Sequence, residues 1–153
     1  MELPESIANA CAPLFTQVPL DQAMCRLVGG SPHHAELVEQ VLRNPAIAGR
    51  ADIAAGLWLY VDDLDRSHTV SQSLPDATGS LWHGIMHRRE GDFGNSRYWV
   101  RRAADHPLIV NEPHLDPFAL VDAVSRAHGD EAELVARQRQ EWQTLFGWCA
   151  NWR

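Results

Sequence analysis

Lysine is absent from this chain: all thirteen basic residues are arginine. That excludes a Schiff-base lysine and the lysine of a phosphate-binding P-loop. It also gives every fixed cation a planar, bidentate group suited to carboxylates and phosphates. Cysteine is scarce. Cys11, Cys25 and Cys149 are odd in number, far apart and without a C-x-x-C pair. A disulfide framework and a cysteine-based zinc site are disfavoured, and buried structural thiols are expected. No stretch approaches the roughly 18 apolar residues of a membrane span. The acidic start Met1-Glu2-Leu3-Pro4-Glu5 lacks the basic opening of a secretory signal. The expectation is a cytoplasmic protein without membrane contact.

Positive charge is also in deficit, with a formal net charge of −7. A general nucleic-acid binder needs a basic surface and is disfavoured. Other familiar chemistries lack their parts. There is no G-x-S-x-G elbow for a serine nucleophile. Gly29-Gly30-Ser31 has neither the strand nor the lysine of a P-loop, and Asp92-Phe93-Gly94 has none of the other kinase motifs.

What is present fits one domain: 153 residues, 45% of them apolar. Residues 1–20 contain Pro4, Pro13 and Pro19 and read as an irregular arm with room for one short helix. Residues 21–153 read as an all-α domain of six or seven helices. Asp21 is placed to cap a helix through Val28, and Ser31-Pro32 to open one running to about Arg43. Ile53, Leu57, Val61 and Leu64 repeat at helical spacing, and continuing that stripe reaches His68, with Asp65 one turn before it. Residues 69–79 read as a loop, after which Ser80 would cap a helix ended by Gly91. Further helices are expected from about Asn95 to Ala104, from Asp116-Pro117 to His128-Gly129, and over residues 130–150. Leu108-Ile109-Val110 reads as a short strand.

The densest chemistry lies in Trp82-His83-Gly84-Ile85-Met86-His87-Arg88-Arg89-Glu90 and the Arg97-Tyr98-Trp99-Val100-Arg101-Arg102 run that follows. On a helix, His83 and His87 stand at i and i+4 and project from one face, with Glu90 near the same line. Between His83 and Arg102, five arginines against Glu90 and Asp92 give +3, so the remainder of the chain carries −10. A cationic island in an acidic protein points to a small anionic ligand.

The strings Ser67-His68-Thr69, Ser71-Gln72, Gly79-Ser80, Trp82-His83, Ile85-Met86-His87-Arg88-Arg89-Glu90 and Tyr98-Trp99 resemble a family of small bacterial proteins with no assigned biochemical activity. The resemblance lies within residues 57–107, about a third of the chain. It implies that His68 and the His87–Glu90 run act as one unit, and it carries no catalytic assignment.

Three functions follow from these residues. The first is a pocket for a small carboxylate or phosphate, with His68, His83 and His87 as acid–base groups. Arg88, Arg89, Arg97 or Arg101 would clamp the anion, Glu90 would assist, and Trp82, Tyr98 and Trp99 would exclude water. The second is a divalent metal such as zinc on His83 and His87, completed by His68, Glu90 or His106, with Asp65 orienting His68. Gly84 stands where the H-E-x-x-H protease motif has its glutamate, so that motif is absent. The third is a structural or interaction module. In it the arginines pair with Asp62, Asp63, Glu90 or Asp92, and Trp148 and Trp152 on the last helix meet a second copy of the chain.

Overall fold

Four aspartates open helices. In the computed structural model, which describes residues 1–152, Asp63, Asp76, Asp92 and Asp116 each accept a hydrogen bond from the backbone N–H three residues on. Each bond satisfies a donor that the first helical turn leaves unpaired. The described residues form nine α-helices and no strand: α1 Glu5–Gln17, α2 Ala35–Leu42, α3 Ala51–Tyr60, α4 Leu64–Ser71, α5 Ala77–Glu90, α6 Phe93–Arg102, α7 Pro107–Asn111, α8 Pro117–Ser125 and α9 Ala132–Asn151. The all-α expectation holds, with more helices than the six or seven expected.

α5 lies at the centre, against α3, α4 and α6. Its eleven residues from Gly79 to Arg89 are all buried, so it has no solvent face. Two small pairs let its neighbours approach. Ser96 Oγ donates to Gly84 O at 2.7 Å across the α5–α6 contact, and Ser67 Oγ donates to Ala55 O at 3.0 Å across the α3–α4 contact. A Cβ on Gly84 would come within 2.8 Å of Val100 Cγ2. The glycine that breaks the protease motif is therefore the one that admits α6. Gly84→Ala is expected to cost about 1–2 kcal/mol, overpacking outweighing the better helix propensity of alanine; urea denaturation measures it, and a gain in stability would contradict this packing.

Beneath α5 the apolar core joins α1, α3 and α9. Trp142 stacks on Phe146 at 4.6 Å and donates its indole N–H to Gly56 O at 2.8 Å. Trp82 packs against Gly56 from the other side, where an added Cβ would meet its ring at 2.9 Å. Among the described residues no helix is long and apolar enough to cross a membrane.

Several sequence expectations are corrected. The arm over residues 1–20 contains the 13-residue α1, which buries Ile7, Ala10, Cys11 and Leu14. Pro4 sits at its N-cap, where no donor is needed, and the bond lost at Pro13 is offset by that burial. Residues 21–28 form no α-helix, because side chains of α9 and of Asp130 just before it take their backbone groups. Gln138 Nε2 donates to Met24 O and Arg26 O, Arg139 Nε donates to Ala23 O, and Asp130 accepts from Leu27 N–H. α2 starts at Ala35, after His34 in a left-handed conformation at φ 51°, leaving Ser31-Pro32 and both histidines outside the helix.

The stripe from Ile53 to His68 is two helices. Asp62 is left-handed at φ 60°, and Asp63 caps α4. Residues 69–79 are only partly loop, since α4 runs to Ser71 and α5 begins at Ala77. Asp76, not Ser80, caps α5, whereas Gly91 ends it at φ 86° as expected. Leu108-Ile109-Val110 lies in α7, where Pro107 opens a helix capped by His106. Cys11 and Cys149 are buried, but Cys25 is exposed.

Candidate functional site

The split between α3 and α4 turns the chain back so that α4 lies along α5. This carries His68 to the face of α5 that bears His83 and His87. Ring centres are 4.8 Å apart for His68–His83, 4.8 Å for His83–His87 and 5.4 Å for His68–His87. One nitrogen from each ring lies within 4.8 Å of the other two. His83 and His87 are buried and His68 is half-buried, so the cluster has two inner members and one at the rim.

The hydrogen bonds set the state of each ring. His87 Nδ1 and Glu90 Oε1 are 2.6 Å apart. An ionised carboxylate can only accept, so Nδ1 carries a proton, and in a neutral ring Nε2 presents its lone pair. His83 stacks on Trp99 at 4.0 Å and 18°, and neither of its buried nitrogens has a hydrogen-bond partner. Buried groups left unpaired each cost about 1–3 kcal/mol, so this ring is a liability to the fold alone. The carboxylate foreseen for His68 is not engaged: among the described residues no hydrogen bond joins Asp65 to its ring. The carboxylate–imidazole pair of the site is Glu90–His87 instead.

Burial pushes the His83 pKa down to about 4, with smaller contributions from His87 and His68. The groups facing it are His68 from α4, His87 from its own helix and Trp99 from α6. The unfolded chain, at the ordinary 6.5, binds a proton that the native ring refuses. This contribution to stability is complete above about pH 6.5 and declines as pH falls toward 4. The melting temperature of metal-free protein is therefore expected to drop between pH 7.5 and 5, and less so after His83→Leu. Equal slopes in the two proteins would contradict this environment for His83.

The arginines are elsewhere. Arg88, 1% exposed, pairs with the buried Glu141 on α9, with NH2 to Oε2 at 2.7 Å and NH1 to Oε1 at 3.1 Å. Arg89, fully buried, donates to Asp62 and to Leu59 O. Arg97 pairs with Asp122 on α8 at 2.9 Å. Trp82 is fully buried in the core. The carboxylates of Glu141 and Asp62 hold Arg88 and Arg89 and core packing holds Trp82, so these three do not line an open site as expected, while Arg97 is engaged by the exposed Asp122. The pairing of Arg89 with Asp62 is the one foreseen under the structural reading. Arg101 is exposed, and Tyr98, 45% exposed, lies edge-on to Trp99 at 5.3 Å.

His106 is apart from the cluster. Its Nδ1 accepts from Leu108 N–H, which leaves Nε2–H to donate to Thr78 Oγ1 at 3.1 Å. Asp92, in ligand distance of His87 and Glu90, is held as the cap of α6 by Asn95. The main cavities, of about 120 to 460 Å³, are lined by residues other than His68, His83 and His87.

Sequence reasoning placed Arg102 in the cationic run but gave it no role; its guanidinium lies 5.4 Å over Trp99 and 5.8 Å over Tyr98. The Arg102-x2-Trp99 and Arg102-x3-Tyr98 spacings are helical neighbours, so the signal was present. The chain matches no protein-family model, no curated protein and no solved structure.

Proposed function

We propose that this protein binds one divalent transition-metal ion, zinc by its ligand chemistry, through His68, His83 and His87. The observation that carries this reading is the convergence of three imidazole nitrogens within 4.8 Å. A tetrahedral zinc ion with bonds of about 2.0–2.1 Å holds its ligand atoms about 3.3 Å apart. Small rotations of side chains close that difference. Two further features support it. Glu90 on His87 Nδ1 is the carboxylate–histidine arrangement that orients a ligand and raises its basicity. His83 is neutral at physiological pH, as a ligand must be, and an ion gives its buried nitrogen the partner it lacks.

The arrangement also argues for chemistry over a purely structural ion. Three neutral ligands leave a bound dication its full charge, and structural zinc sites usually have four protein ligands. The fourth position is open to water or to a substrate oxygen, as in metal-assisted hydrolysis. An enclosed pocket for an organic anion has less support, since Arg88, Arg89 and Arg97 are occupied and the main cavities are lined by residues other than the histidines.

Untagged protein, stripped with chelator and dialysed against zinc, is expected to retain one ion per chain by elemental analysis. Retention well below one, or retention unaffected by combined His83→Leu and His87→Leu substitution, would sink the proposal.

A further inference from the structure

Resting on the metal reading above, we infer that Arg102 selects what reaches the ion: the site takes a short dianion, one oxyanion at the metal and a second, carboxylate or phosphate, on the Arg102 guanidinium. Of the five arginines in the cationic island, Arg88, Arg89 and Arg97 are bound to Glu141, Asp62 and Asp122. Arg101 and Arg102 are exposed and have no carboxylate partner among the described residues. Arg102 alone is layered on the aromatic rim. Its guanidinium lies 5.4 Å from the Trp99 ring centre, and Trp99 lies 4.0 Å from that of His83. The cation is therefore no more than 9.4 Å, the sum of those two distances, from the ring of a proposed ligand.

Stacking on Trp99 and Tyr98 orients the guanidinium without consuming its donors. A single long contact of 3.4 Å runs to Tyr98 Oη, and the remaining N–H groups are free for a planar oxyanion. A dication on three neutral imidazoles beside a fixed guanidinium sums to three positive charges. Among the described residues Glu90, bound to His87 Nδ1, offsets part of this charge, and no carboxylate pairs with Arg102. A ligand with two negative groups at its ends answers both centres, and a separation of no more than 9.4 Å between the guanidinium and the His83 ring suits a short one. The local excess of charge seen in the sequence thus has its functional remainder at Arg102.

The test uses the full chain loaded with cobalt(II), whose visible absorption reports ligands entering the coordination sphere. Succinate is compared with succinamate, which keeps one carboxylate and replaces the other by an amide. Succinate is expected to bind about five-fold more tightly, the scale of an exposed ion pair. Arg102→Gln is expected to bring the ratio to about one, whereas Arg43→Gln, which removes the same charge from the residue after α2, leaves it unchanged. Tighter binding of 3-phosphonopropionate than of succinate, lost in Arg102→Gln, identifies phosphate as the preferred distal group; the reverse order identifies carboxylate. A wild-type ratio of one, or a ratio that survives Arg102→Gln, overturns the inference while the metal reading stands. Failure to take up cobalt overturns both.

Discussion

A His83→Leu protein is expected to bind zinc at least about 100-fold more weakly than the parent, yet to be no less stable without metal. The first part follows from loss of one of three ligands, since even removing a partner of a ligand costs about 10- to 100-fold in affinity. The second follows from the ring's surroundings. Both His83 nitrogens are buried and unpaired, so an apolar side chain of similar volume removes an unmet polar group and retains contact with Trp99. Opposite effects on affinity and stability are the signature of a residue kept for function. Calorimetric titration with zinc and thermal denaturation of the metal-free protein measure the two quantities. A marked loss of stability without metal would assign His83 to the core.

Glu141→Gln is expected to have the largest effect on the fold. It leaves the Arg88 guanidinium, 1% exposed, as an uncompensated charge between α5 and α9. Breaking such a buried pair costs about 3–5 kcal/mol. For a chain of this size that lowers the melting temperature by roughly 6–20 °C. Replacing both partners, Arg88→Met with Glu141→Leu, is expected to recover most of the loss, because no buried charge remains. Zinc affinity is expected to stay near that of the parent in the double variant. A large loss of affinity there would return Arg88 to the site.

His83 and His87 were legible as a pair because i, i+4 spacing on one helix places them on one face wherever the helix sits. His68 was also legible, though by a route the structure replaces. The apolar stripe led to it as the end of one long helix, but the left-handed Asp62 and the cap at Asp63 make a hairpin of α3 and α4. Only that reversal brings His68 back to α5. A stripe reports which residues face inward and is silent on a single residue of positive φ.

The arginines show a different limit. A net charge of +3 over residues 83–102 sums neighbours in the chain, whereas the carboxylates that neutralise Arg89, Arg97 and Arg88 come from 27, 25 and 53 positions away. Charge counted locally cannot tell a binding surface from a buried lock between helices. The N-terminal arm failed on composition: three prolines suggested irregular chain, but one stands at a helix cap and another inside a helix held by its apolar face. Residues 21–28 failed because side chains of α9 and of Asp130 before it, more than 100 positions distant, take the backbone groups a local helix would have used.

The account turns on three histidines sharing one ion. Crystals of the zinc-loaded protein, measured on both sides of the zinc absorption edge, test it most directly. One anomalous peak is predicted, about 2.0–2.1 Å from a nitrogen of each of His68, His83 and His87. The absence of a peak there, or a peak coordinated by other side chains, would contradict it.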